Sequence, residues 1–421
     1  MNTMAFCFLC TLLVPLAGAG LALINAGLGR SRSAAHVMLA SLAIIGVAAL
    51  VYFMCGFAWQ GFPGRPAHVF AASGRTWNWL AAEPFFLRGL ALDGSPASLA
   101  AWLGILSAGL AALIPLGSGA DRWRLGASCA STALLAGLTY PLFAHWAWGG
   151  GWLAQLGANN GLGAGFLDAG GSGSIQAVGG LTALSIAWIL GPRRGKYAPD
   201  GAPSAIPGHN AVLVLFGCLM ALLGWLGLNC AGAILYCGAE PGRTVLVAVN
   251  TTLSGAAAAL AAAALTRIRF GKPDASLCAN GWVGGLVAGS AGCALLAPAA
   301  AVVTGAVAGL LVVFAVEWIE LRLAVDDPGG AVAVHAAGGI WGLLAAGLFG
   351  GGAGQTVAQL AGIATLLGCV LPLTYGLNLA LNRFFPQRVA VEGERRGMDL
   401  YELGAGAYPE FITHSEDFPL R

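Results

Sequence analysis

Apolar stretches long enough to span a bilayer recur along the chain, separated by short polar segments. They fall near 4–28, 35–57, 98–118, 125–147, 169–191, 210–231, 243–266, 276–297, 299–322, 331–351 and 356–382. A hydrocarbon core about 30 Å thick needs roughly 20 apolar residues in helical form. The pattern therefore predicts an all-α polytopic membrane protein with eleven transmembrane helices. Residues 1–385 make the membrane domain, and 386–421 form a charged tail too short to fold alone.

Basic residues cluster after alternate spans. Arg30 and Arg32 follow the first, Arg122 and Arg124 the third, and Arg193, Arg194 and Lys196 the fifth. Arg267, Arg269 and Lys272 follow the seventh, Arg322 the ninth, and Arg383 and Arg388 the last. The other side carries only Arg65, Arg75, Arg88 and Arg243. By the positive-inside rule the N-terminus is outside, the C-terminus is cytoplasmic, and the protein is multi-pass in the cell membrane. The first apolar run starts almost at Met1 without a basic region before it, which argues against a signal peptide. Small residues near Ala17–Gly20 still leave cleavage open.

One polar pattern interrupts this apolar order twice. Asp168, Gly170, Gly171, Gln176, Gly179 and Gly180 stand at the same relative positions as Asp327, Gly329, Gly330, His335, Gly338 and Gly339. A fixed spacing shared by distant segments marks an internal repeat. Each acid would cap a helix start, where free N–H groups need an acceptor. The polar side chain eight residues on would lie roughly 12 Å deeper at about 1.5 Å per residue, close to the membrane midplane. With five spans per copy the second must be inverted. Spans 1–5 and 6–10 then form an inverted repeat with an extra C-terminal helix, and a pathway is expected between the halves.

Composition adds two constraints. With 58% hydrophobic and 9% charged residues, a water-soluble fold is excluded, and 65 glycines suit close helix packing in lipid. The ten cysteines are scattered in apolar runs; Cys7 and Cys10 have no second pair to complete a zinc site, so neither metal nor cofactor is expected. A net charge of +2 names no partner, and no basic patch suits nucleic acid.

The candidate chemistry is sparse. His335 is the histidine deep in a span, read either as a helix-packing residue or as a pore-lining one, and Gln176 is its repeat mate. Trp148 is either an aromatic-belt residue or a face for a small cation. Asp168 is an N-cap that could also attract cations beside Trp148, and Asp327 is its counterpart at the inner mouth. Trp225 and Asn229 place polar atoms in span six, where Asn229 could simply join helices. Aromatic residues Trp77, Trp79, Phe85 and Phe86 in the long external loop read as interfacial anchors. No nucleotide loop or nucleophile–base pair is visible, so an enzyme is not expected.

These residues resemble the ammonium transporter family (Amt/Mep/Rh). The likeness is carried by Asp168 through Arg193, by Val325–Pro328 followed by His335–Gly338, by Ala144–Gly151, and by Gly224–Asn229. It implies eleven helices, a homotrimer and one narrow pore per subunit, with ammonium or ammonia as substrate. Trp148 and Asp168 would then form the outer ammonium site, leading to a pore lined by two histidines. Here His335 is the second histidine and Gln176 replaces the first. The gate phenylalanine falls on Ser107, with Leu103 one turn earlier, and the vestibule serine falls on Gly232. Residues Arg396–Leu400 and Ala407–Phe411 resemble the family's tail, which couples subunits and can meet P-II signalling proteins; Leu403 stands where that tail often has histidine. The resemblance implies transport. A weakly conducting or non-conducting sensor acting through the tail is the alternative, and a methylated amine or neutral gas is a further substrate class.

Overall fold

The computed structural model describes residues 2–408. Among these, ten helices are long and apolar enough to cross a membrane. They are α1 (Thr3–Leu28), α2 (Ser31–Gln60), α3 (Pro96–Gly119), α4 (Leu125–Ala147), α5 (Ser172–Leu190), α6 (Ala211–Cys237) and α7 (Pro241–Phe270), then α9 (Pro298–Arg322), α10 (Val332–Gly350) and α11 (Ala353–Phe384). Between α7 and α9 the stretch expected to span forms α8 (Ala275–Ala291), which at 17 residues is shorter than the other ten. Gly292 ends it, and Pro298 starts α9 at the first helical position, where a missing N–H costs nothing.

Proline explains several irregularities. Pro15 breaks the ladder of α1 just after Val14. Widened π-helical turns at Leu135–Thr139 in α4 and Leu366–Val370 in α11 precede Pro141 and Pro372, whose rings would otherwise strike the carbonyl one turn back.

Glycine lets the bundle close. A Cβ on Gly20 of α1 would meet the Gly217 carbonyl at 2.6 Å, and one on Gly217 of α6 would meet the Gly20 carbonyl at 2.6 Å. The first helix of each predicted half therefore crosses its counterpart backbone to backbone, as small-residue packing in lipid allows.

The long loop after α2 carries the aromatic residues expected to act as interfacial anchors. It also folds into an antiparallel hairpin of β1 (Ala67–Ala72) and β2 (Arg75–Ala81). Its two-residue turn has positive φ at Ser73 (52°) and Gly74 (73°), the geometry that matches strand twist. Trp79 packs on Trp146 at 5.1 Å between ring centroids, and the Trp146 indole N–H donates to the Trp79 carbonyl at 2.8 Å. Phe85 and Phe86 remain exposed.

At the opposite end the basic residues are not merely solvated. Arg122 is fully buried and donates to the carbonyls of Ala120 (3.1 Å), Gly191 (2.7 Å) and Asp326 (2.8 Å). Arg193 grips the Asp326 carboxylate with Nε (2.9 Å) and Nη2 (3.0 Å), and reaches Asp121 at 3.1 Å. The tail packs on this end. Asp399 accepts from the N–H groups of Ala35 (3.2 Å) and His36 (2.7 Å) near the start of α2. Glu402 accepts from the Leu125 N–H at the start of α4 and pairs with His36 Nε2, both at 2.8 Å. Of the tail motif, Pro409, Glu410 and Phe411 lie outside the described residues.

Candidate functional site

The two repeated motifs build the same object. Asp168 Oδ2 accepts from the N–H of Gly173 (3.0 Å), the N–H of Ser174 (2.7 Å) and the Ser174 hydroxyl (2.8 Å). Asp327 accepts from the N–H groups of Ala331 (3.1 Å) and Val332 (2.8 Å), and from the Ser118 hydroxyl. Both carboxylates thus neutralise orphan donors at a helix start. Each helix then opens with one π-helical turn, Ser172–Ala177 in α5 and Val332–Ala337 in α10. Such turns turn side chains off the regular helical face and recur at functional sites. Gln176 sits in the first and His335 in the second.

The crossing of these turns joins the two side chains. A Cβ on Gly180 would lie 2.2 Å from the Ala336 nitrogen, and one on Gly339 would lie 2.5 Å from the Ser172 carbonyl oxygen. Only glycine permits that approach from both directions. Four residues before each glycine, His335 Nδ1 and Gln176 Oε1 meet at 2.7 Å. A carboxamide oxygen only accepts, so Nδ1 carries the proton and Nε2 of the neutral ring keeps a lone pair. Both side chains are buried, and the Gln176 amide nitrogen has no hydrogen-bond partner among the described residues. The pair is a polar point in an apolar wall, able to hand a small hydrogen-bonding molecule from one group to the next.

Trp148 lies at the hairpin end of the bundle, where its indole N–H donates to the Asp168 main-chain carbonyl at 2.7 Å. Its ring stacks flat on Tyr236, with centroids 4.4 Å apart and planes 2° from parallel. One face is therefore covered, which the sequence did not indicate. The second carboxylate oxygen of Asp168 is buried and has no hydrogen-bond partner among the described residues.

The span-six residues fall around the same acid-bearing segment. Asn229 donates to the Thr251 hydroxyl at 2.9 Å, joining α6 to α7, and its Oδ1 would lie 1.9 Å from a Cβ on Gly170. A Cβ on Gly232 would lie 2.1 Å from the Ala169 carbonyl oxygen. Trp225 is fully buried with its indole N–H unpartnered. Ser107 and Leu103 are buried in α3, and Ser107 lies within interaction range of the Tyr140 hydroxyl. Asp327 belongs to the far, charged end and does not join Trp148. Sequence reasoning gave no role to Tyr140, Tyr236, Gln60 or His145. Their signal is weak: tyrosines and amides at the ends of apolar spans look like ordinary interfacial residues.

Comparison with known proteins bears on the family and the fold. A family model described as Ammonium Transporter Family matches residues 5–408. Ammonium transporter Amt2 of Archaeoglobus fulgidus is 36% identical over 440 residues, covering 98% of this chain and 89% of that protein. Ammonium transporter Amt2 of Haloferax mediterranei is 31% identical over 435 residues, covering 98% and 91%. Among solved structures, one described as Sensor Amt Protein superposes with a TM-score of 0.85 at 28% identity, covering 95% of this chain and 98% of that one. Candida albicans Mep2 superposes with a TM-score of 0.80 at 25% identity, covering 97% and 90%.

Proposed function

This chain belongs to the ammonium transporter family, and from that premise we propose that it carries ammonium or ammonia across the membrane through a narrow pore within each subunit. It is a multi-pass membrane protein and not an enzyme. The observation that carries the reading is the contact of His335 Nδ1 with Gln176 Oε1 at 2.7 Å, held where two broken helices cross. A neutral ring and an amide in a buried wall suit a small molecule that exchanges hydrogen bonds as it passes. Trp148 and Asp168 form the recruiting end of this pathway, with Ser107 and Gly232 at its gate and vestibule. Trp225, Asn229 and Asp327 hold the surrounding helices.

The same reading takes α8 as the eighth of eleven spans and the chain as an inverted repeat. The like capping of Asp168 and Asp327, and the reciprocal contacts of Gly180 and Gly339, support it. The Arg122–Arg193 end is placed in the cytoplasm and the hairpin outside, on the positive-inside rule. A homotrimer and a P-II-type partner at the tail follow from the family resemblance.

Sensing without flux is the second reading. It is favoured by the likeness to the Sensor Amt Protein and by the Tyr236 ring lying over one face of Trp148. Proteoliposomes given an ammonium pulse separate the two. Transport predicts internal pH changes well above empty vesicles, reduced at least about tenfold in His335→Ala, in line with the loss of a positioned proton-handling group. Wild type that binds ammonium yet matches empty vesicles would leave sensing as the function.

A further inference from the structure

Residues 161–171, which lead through Asp168 into α5, form neither helix nor strand. Backbone of that kind needs partners from elsewhere for its N–H and C=O groups. Two glutamines of α11 supply several of them. Gln355 accepts from the Ala164 N–H at 3.0 Å and donates to the Gly165 carbonyl at 2.7 Å. Gln359 lies one turn on, on the same face of the helix. It accepts from the Leu167 N–H at 2.8 Å and donates to the Leu167 carbonyl at 2.7 Å. Its amide nitrogen also lies 3.3 Å from the Leu343 carbonyl of α10. Both glutamine side chains are buried. Between the two grips the Phe166 ring packs on α11, where a Cβ on Gly362 would lie 2.0 Å from it.

The second grip ends next to the candidate site. The Leu167 carbonyl belongs to the planar peptide that continues into Asp168. On the far side of Asp168 its own carbonyl accepts the Trp148 indole N–H at 2.7 Å, and the next N–H, that of Ala169, donates to the Ala291 carbonyl at 3.1 Å. A single residue therefore separates the group held by Gln359 from the group that holds Trp148. At the other repeated acid the residue before it, Asp326, is held by Arg193 instead. Farther along α11 the contacts differ in kind. Thr374 meets Thr182 of α5 hydroxyl to hydroxyl at 3.0 Å, and Tyr375 packs edge-on against Trp188.

We propose that Gln355 and Gln359 are positioning residues for ammonium recruitment: by clipping the strap 164–167 to α11 they hold Asp168 and the Trp148 indole in register. Neither glutamine need touch the solute. A carboxamide suits the task because it offers an acceptor and a donor side by side, matching the N–H and C=O of an irregular chain, and carries no charge of its own to hold or repel a cation. The precision matters because a misplacement of about 1 Å in a binding geometry can cost up to about a hundredfold. The proposal rests on the transport reading, with Trp148 and Asp168 as its recruiting end.

Initial rates of ammonium uptake into proteoliposomes over a range of concentrations test it, together with calorimetric titration of the same proteins by ammonium chloride. The set is wild type, Gln355→Met, Gln359→Met, Gly362→Ala and Thr374→Val. Methionine keeps the length of glutamine and loses both hydrogen bonds. In Gln359→Met the half-saturating concentration should rise, and the affinity fall, by about tenfold, and in Gln355→Met by at least about threefold. Gly362→Ala drives the Phe166 ring off α11 and should shift half-saturation the same way without touching either amide. Maximal rates should stay within about twofold of wild type, the mark of lost binding rather than lost passage. Thr374→Val, on the same helix, should lower the melting temperature and leave half-saturation unchanged. Wild-type half-saturation and affinity in both methionine variants, or a loss confined to maximal rate, would overturn the proposal. Should Gln359→Met not fold, Gly362→Ala decides in its place. A wild type that binds ammonium without flux sinks the transport reading alone and leaves the clip to be judged by calorimetry. One that neither binds nor carries it sinks both.

Discussion

At the scale of single residues, the Gln176–His335 contact is what the proposed pathway turns on. An imidazole takes a proton on one nitrogen and releases one from the other. A carboxamide accepts on oxygen and donates from nitrogen, but it does not give up its own N–H protons near neutral pH. On the proposed pathway a proton arriving on His335 would have no onward carrier at Gln176, whereas a neutral hydrogen-bonding molecule would find a partner at both groups. Gln176→His is expected to raise the ammonium-dependent current of proteoliposomes by at least about tenfold, with a smaller change in total uptake. Equal currents in the two proteins would show that charge moves by another route. The sequence made this pair legible because a fixed spacing recurs around both residues. The stacking of Tyr236 on Trp148 was not legible, because the two residues come from different helices and share no pattern along the chain.

At the scale of elements, apolar runs marked the long helices well, and prolines marked several of their breaks. The π-helical turns at Ser172–Ala177 and Val332–Ala337 left no trace, because those segments are buried except at Ala337 and carry no amphipathic rhythm to shift. The hairpin was missed although Ser73 and Gly74 are suitable turn residues; its strands carry no clean alternation of apolar and polar positions. Gly232 shows how a position changes meaning once its element is placed. Along the sequence it reads as a lost serine. In the fold it is where α6 passes the Ala169 carbonyl, with 2.1 Å for any Cβ. Gly232→Ser should therefore not restore a vestibule hydroxyl on its own. It should cost about 1–3 kcal/mol from overpacking, seen as a lower melting temperature in detergent, whereas an unchanged melting temperature would mean the Ala169–Gly170 segment yields freely.

At the scale of the whole molecule, the charged end acts as one tie. Asp326, before α10, is gripped by Arg193 after α5, and Arg122 after α3 lies against the same loop. Burial pushes the Asp326 carboxyl up, but the Arg193 hydrogen bonds and the charges of Arg122 and Arg193 more than offset this and hold it below the usual carboxylate range. A depressed folded pKa contributes stability that is present above the unfolded value of about 3.9 and is lost as pH falls through the folded value. Asp326→Asn should thus be less stable than wild type at pH 7, by about 3–5 kcal/mol as for other broken buried pairs. The gap should close as melts are repeated toward pH 3; a gap that stays constant with pH would assign the loss to packing instead. The other tie lies at the centre, where Gly180 and Gly339 set backbone against backbone. Side chains can rotate aside to let a solute by, but main chains in contact cannot. Were solute to pass beside His335 as proposed, it would meet a fixed aperture, widened only by moving whole helices. Size at that point would then be decided when the chain folds, before any solute arrives.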